Sequence, residues 1–194
     1  MNSMEQVKML REKTGAGVVD IKKALDEAKG DETQAILILR KRGQDKALKK
    51  GDREAHEGII VSYVHSNNHI GVLVKLFCET DFVALNEDFR ELGRDIALHI
   101  AASAPQYVKP EEVPEELVEK ERSIWREQLA KENKPKEILD KIMTGKEEKF
   151  RNENALLTQI FVKDPSRTVG ELLAEKIQKI GENIQVGGFV RYEM

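Results

Sequence analysis

Cys78, Asp81 and His99 supply a thiol, a carboxylate and an imidazole within a short stretch of chain. Arranged as nucleophile, orienter and base, they would make a small hydrolase. No flanking signature of such an enzyme surrounds them, and a lone cysteine usually behaves as a small buried apolar side chain. Gly15-Ala16-Gly17 raises phosphate binding, but no strand precedes it and Asp20 stands where a third glycine would be needed. The glycines therefore read as a tight turn between helices. His56, His65, His69 and His99 lack ligand spacing, so no metal site is expected. Lys46, Lys49, Lys50 and Arg53 could hold phosphate, which leaves an RNA-associated module open. Against it, residues 1–54 carry 13 Lys/Arg and 10 Asp/Glu, and no aromatic side chain interleaves them for stacking. The run KLFCETDFVAL, Lys75 to Leu85, poses the sharpest question. Asp81-Phe82 stands bare where an apolar run ends. Either the ring tucks under the next helix, or it is an apolar anchor for another protein.

The elements that must position these groups are legible from periodicity and punctuation. Residues 3–43 read as three short helices. Ser3 with Gln6 forms a capping-box pattern, and Met4, Val7 and Leu10 follow at helical spacing. Val18, Ile21, Leu25 and Ala28 line the second helix, which Gly30 ends. Asp31 caps the third and Gly43 stops it. Residues 44–56 read as a basic linker, in part helical. Ile59–Val64 and Ile70–Phe77 are β-rich runs separated by Ser66-Asn67-Asn68, a hairpin signal. Asn86 caps a helix carrying Phe89, Leu92, Ile96 and Ile100, and Pro105 lies beyond its end. Residues 110–151 are dense in Glu and Lys around a sparse stripe of Val113, Leu117, Ile124, Leu129, Ile138, Ile142 and Phe150. With Pro135 interrupting, they read as a helical hairpin with a narrow seam. Leu156–Phe161 returns to the core. Thr168 with Glu171 caps a helix faced by Leu172, Leu173 and Ile177, and Ile184–Tyr192 reads as a closing strand with a bulge at Gly187-Gly188.

The predicted architecture is α+β. A front three-helix bundle spans 1–43 and a linker 44–56. A core with a small antiparallel sheet and packed helices spans 57–109 and 152–194, and a helical hairpin is inserted at 110–151. The chain has 194 residues, 40% of them hydrophobic and 35% charged, with a formal net charge of −3. That is enough for one good core plus a small satellite. It argues against a uniformly basic nucleic-acid binder. One cysteine allows no internal disulfide. No apolar run approaches the roughly 20 residues of a membrane span. The expectation is a cytoplasmic protein with no membrane contact.

Several segments resemble the signatures of one family. LREKTGAGVVDIKKAL (Leu10–Leu25) and CETDFVALN (Cys78–Asn86) are similar to those of bacterial elongation factor Ts. HIAASAP (His99–Pro105), KFRNENALLTQIFVKDPSRTVGELL (Lys149–Leu173) and FVRYE (Phe189–Glu193) resemble the family as well, in order from end to end. The resemblance implies a guanine nucleotide exchange factor for elongation factor Tu, acting by binding, without a cofactor and without direct nucleic-acid contact. It implies that the front bundle is ubiquitin-associated-like. It places Thr80, Asp81, Phe82 and Val83 against the GTPase domain of elongation factor Tu, where they disturb its magnesium and phosphate site. Val18-Val19, with Arg11 of the same segment, would dock on that domain, and His99 matches a histidine implicated in loosening the phosphate loop. Short members with a single core repeat act as homodimers, and the Thr-Asp-Phe-Val segment occurs here once. Phe77, Leu85 and Ile160 depart from the usual family residues.

Overall fold

A computed structural model describes residues 4–130 and 135–194. The Ser3 half of the first capping box therefore lies outside the described residues. Three helices come first: α1 (Met4–Thr14), α2 (Val18–Glu27) and α3 (Glu32–Lys50). They enclose a small cluster that includes Val7, Leu10, Ile21, Leu25, Ala35 and Leu39. Asp31 caps α3 by accepting from Gln34 N at 2.9 Å.

Helix α3 corrects one sequence expectation. Gly43 does not stop it, and α3 runs on through Lys50, so the helical part of residues 44–56 is a continuation of α3. A mid-helix glycine costs about 1 kcal/mol relative to alanine. Here it sits buried against Gln178 in the last helix of the chain, where an added Cβ would collide with that side chain. Past Gly43, the Gln44 amide donates to Glu171 at 3.3 Å and Lys50 Nζ donates to the Gly181 carbonyl. Ala47 packs against the main core. Tertiary contacts along this stretch hold the helix that local propensity would end.

The sheet has three antiparallel strands in the order β1 (Glu57–Val64), β2 (Ile70–Cys78), β3 (Gln185–Glu193). Ile59 faces Leu76 and Tyr63 faces Val72, while Val74 faces Phe189. Between Lys75↔Gly188 and Leu76↔Val186 the register slips, so Gly187 is the extra residue of a bulge. The ring of Phe77 lies where a Gly187 side chain would go.

Alternation along β2 puts Val72, Val74, Leu76 and Cys78 inward, under α5 (Glu87–Ser103) and α8 (Val169–Ile180). Asn86 caps α5 through Asp88 N at 2.8 Å. Thr168 and Glu171 make a reciprocal capping box on α8. Between α5 and α8 come α6 (Glu115–Leu129) and α7 (Lys136–Asn154). Their seam differs from the predicted stripe. Ile124 and Ile138 are exposed, and Trp125 is buried instead, edge-on to Phe150 at 6.0 Å between centroids. Val113 and Leu129 of the stripe are buried, with Val118 beside them, and ions cross the seam as well: Arg122 reaches Glu147 at 2.5 Å, and Arg151 donates to Val113 O at 3.1 Å.

Candidate functional site

Strand β2 runs up the middle of the sheet and ends on Cys78, which has no exposed surface. Its thiol donates to Thr80 O at 3.1 Å. Burial, then the nearby Glu182 charge, push that thiol up to about 11, so it is protonated and inert at neutral pH. Thr80 is extended and caps a single helical turn, α4 (Asp81–Ala84), accepting from Val83 N at 3.4 Å. One turn can bury only one side. Ala84 is buried and Val83 packs on the core, so Asp81, Phe82 and Leu85 face outward. Phe82 is 81% exposed and Leu85 67%. A full phenylalanine burial, about 1.5–3 kcal/mol, is thus left unused by the chain itself.

Behind the turn stand two residues that local pattern does not mark. Glu182 Oε2 accepts from the amides of Glu79 and Thr80, both at 3.1 Å, and its Oε1 accepts from Thr80 Oγ1 at 2.7 Å. Asn183 N donates to Glu79 Oε1 at 2.6 Å. Both come from the connection between α8 and β3, more than 100 residues away in sequence. No signal within a few residues of either end could have paired them.

Val18 and Val19 open α2 on the outside of the front bundle, 38% and 65% exposed. They face out because Ile21, Ala24 and Leu25 take the inward stripe. Gly15, at φ 64°, makes the turn before them, with Thr14 Oγ1 donating to Leu10 O at 2.6 Å. Helix α1 runs into this turn and α2 out of it, so it is a helix–helix connection and not a phosphate loop. Arg11 is exposed on α1 and lines a cleft of about 630 Å³ that also has Glu91, Asp95, Lys176 and Lys179 on its wall.

His99 is placed differently. It has no exposed surface, so the direct partner contact carried over for it is not offered by this arrangement. Val162 N donates to its Nδ1 at 3.2 Å, which leaves the proton on Nε2 to donate to Gln159 Oε1 at 3.0 Å. Burial holds its pKa below the ordinary 6.5, with the Gln159 bond acting in the opposite direction. Gln159 in turn donates to Glu153 O at 2.8 Å, so His99 pegs α5 to the end of α7 and to the 159–162 strap. The structure does not assemble Cys78, Asp81 and His99 into a triad: the thiol serves Thr80, the imidazole serves the strap, and Asp81 faces outward. Among the described residues, no three His, Cys, Asp or Glu side chains group to hold a metal ion.

Comparison with known proteins identifies the family. Residues 46–194, which include the exposed turn and Glu182, match the family model described as elongation factor TS. The chain belongs to the elongation factor Ts family. The elongation factor Ts of Thermosipho melanesiensis is 54% identical over 192 residues, covering 99% of this chain and 98% of that one. That of Fervidobacterium nodosum is 54% identical with the same coverage. That of Acetivibrio thermocellus is 54% identical over 193 residues, covering 100% of this chain and 90% of that one. The family model begins beyond Arg11, Val18 and Val19, but the alignments to these elongation factor Ts proteins span nearly the whole chain.

Proposed function

We propose that this chain drives GDP from elongation factor Tu by pressing the exposed Asp81-Phe82 turn into the GTPase domain, beside its magnesium and phosphate site. As a member of the elongation factor Ts family, it is a nucleotide exchange factor for elongation factor Tu in translation elongation. The observation that carries the wedge reading is Phe82: a large apolar ring, 81% exposed, at the end of the central strand of the sheet. An exchange factor must prefer the nucleotide-free partner, because equal affinity for both states shifts nothing. Linkage makes the preference mutual, so nucleotide weakens the factor as the factor weakens nucleotide. Mg²⁺ demands near-ideal octahedral geometry, so a small displacement of its surroundings releases it. The chain thus acts by binding and performs no covalent step.

Val18-Val19 and Arg11 supply grip from the front bundle, and His99 acts beneath the surface by holding the strap. Direct nucleic-acid contact is not part of the reading. Arg42 is paired with Glu27 at 2.7 Å and Lys46 with Asp20 at 2.6 Å, while Arg40 donates to Ser166 O at 3.2 Å. The basic side chains of α3 are thus largely engaged within the protein. The setting is the cytoplasm, where translation occurs; among the described residues no helix is long and apolar enough to cross a membrane.

The protein is proposed to act as a homodimer. The outer face of the sheet supports this. Leu73 lies between Ser62 on β1 and Val190 on β3, and Ile60, Val64, Leu73, Val190 and Tyr192 are all exposed. A sheet face this apolar is the kind of surface a second copy would cover. Release of fluorescent GDP from elongation factor Tu, followed with and without the protein, tests the function. An unaccelerated release at saturating protein would overturn it.

A further inference from the structure

The Phe82 ring has no support from its own burial, so its aim depends on the backbone beneath it. That backbone is held at Thr80, and Thr80 is held from across the molecule. We propose that Glu182 is the positioning residue of the exchange wedge. Its carboxylate clamps the Glu79 and Thr80 amides and the Thr80 hydroxyl, so that the Asp81-Phe82 turn is presented in one geometry. The inference rests on the reading that this turn is what acts on elongation factor Tu.

Three donors converge on one carboxylate: two amides at 3.1 Å on Oε2 and a hydroxyl at 2.7 Å on Oε1. The two amides follow the last paired residue of β2, so the strand ladder does not serve them. A carboxylate offers acceptors only, which matches a site that offers only donors. Bonds to a charged acceptor are about twice as strong as neutral ones. The clamp also orders the cap, because Thr80 Oγ1, fixed by Glu182, is the atom that accepts from Val83 N.

The clamp reaches further. Asn183, 1% exposed, donates its backbone amide to Glu79 Oε1 at 2.6 Å and its side-chain amide to Arg53 O at 2.7 Å. Arg53 lies three residues past the end of α3, and Lys50 of α3 donates to Gly181 O, one residue before Glu182. Gly181, at φ 93°, ends α8 and turns Glu182 toward the wedge. The end of α3, the end of α8 and the start of α4 therefore meet at Glu182-Asn183. A front bundle gripping its partner through α2 is tied by this junction to the turn that distorts the partner.

The test compares Glu182→Ala, Glu182→Gln and Glu182→Asp with Phe82→Ala in release of fluorescent GDP from elongation factor Tu, across factor concentrations. Glutamine keeps the reach without the charge: its oxygen still accepts from both amides, but its NH2 is a donor, so the bond that the Thr80 hydroxyl donates is lost. Aspartate keeps the charge but is one methylene short. We expect Glu182→Ala and Glu182→Asp to lower the maximal release rate about tenfold, the scale of one lost charge-assisted bond. The half-saturating concentration should stay within about twofold, and Glu182→Gln, which keeps the two amide bonds without their charge assistance, should fall between Glu182→Ala and the native chain. Should Glu182→Ala fold poorly, the Gln and Asp pair carries the comparison. A wild-type rate in Glu182→Ala or Glu182→Asp, with Phe82→Ala slow, overturns the clamp and leaves the wedge standing. So does a half-saturating concentration that rises in proportion, which would make Glu182 part of the grip. A fast Asp variant with a slow Gln variant overturns it too, because charge would then matter and not reach. A wild-type rate in Phe82→Ala removes the wedge, and the clamp with it.

Discussion

Replacing Phe82 by alanine separates the two things a phenylalanine can do. Were the ring part of this chain's core, its loss would cost about 3–5 kcal/mol of stability. The ring is 81% exposed, so the substitution should change the unfolding free energy by no more than about 0.5 kcal/mol. The partner is where the loss should fall. Burying such a ring is worth about 1.5–3 kcal/mol, and each tenfold in an equilibrium or rate constant is about 1.4 kcal/mol. GDP release at saturating factor should therefore slow by roughly one to two powers of ten, while the complex still forms through the front bundle and the rest of the core. Stopped-flow release of fluorescent GDP, a pull-down of elongation factor Tu and a urea titration measure the three quantities. An unchanged release rate would refute the wedge. A loss of several kcal/mol in the urea titration would refute the exposure on which it depends.

Three further outcomes test the architecture around the wedge. Gly93 lies in the buried face of α5, where an added Cβ would come within 2.6 Å of Val61 Cγ2 on β1. Gly93→Ala should gain about 1 kcal/mol in helix propensity and lose about 1–3 kcal/mol to overpacking, a net destabilisation visible as a lower urea midpoint. His99 has its pKa depressed in the fold, chiefly by burial, so the unfolded chain binds its proton more readily. Its contribution is complete above the unfolded value near 6.5 and is lost as pH falls through the folded one. Urea midpoints measured from pH 7.5 downward should fall more steeply for the native chain than for His99→Gln. Leu73 is 47% exposed at the centre of the outer sheet face, so Leu73→Asp should shift the protein toward monomer in a sizing run, with little change in the urea midpoint of the monomer.

Much of the chain was legible residue by residue. The Asp31, Asn86 and Thr168 caps hold their helices as their types and spacing predict. The hairpin, the closing strand and its glycine bulge follow from β-rich runs and punctuation. Each of these signals is completed within a few residues, so the chain's own geometry is enough to decide it. The turn at Gly15–Gly17 is of this kind; Val18 is not, because its spacing groups it with Ile21 and Leu25 while the fold leaves it 38% exposed. The family was likewise readable in the order of Leu10–Leu25 and Cys78–Asn86.

Other features belong to the tertiary structure alone. Helix α3 passes through Gly43 because α8 lies against it, and the seam of α6 and α7 takes Trp125 rather than Ile124 because Phe150 faces it there. The same pattern of types would suit a Phe82 tucked inward. Only the count of places under a one-turn helix, filled by Val83 and Ala84, sends the ring outside. His99 borders an apolar face in sequence and is sealed in the fold, because the 159–162 strap closes over it. By itself, then, the order of residues determined where most of the helices and strands begin and which family the chain belongs to. The fold decided which side chains those segments cover, leave bare or clamp from a distance. Covering a surface takes a second segment from elsewhere in the chain, and its position is not encoded near the residue it covers.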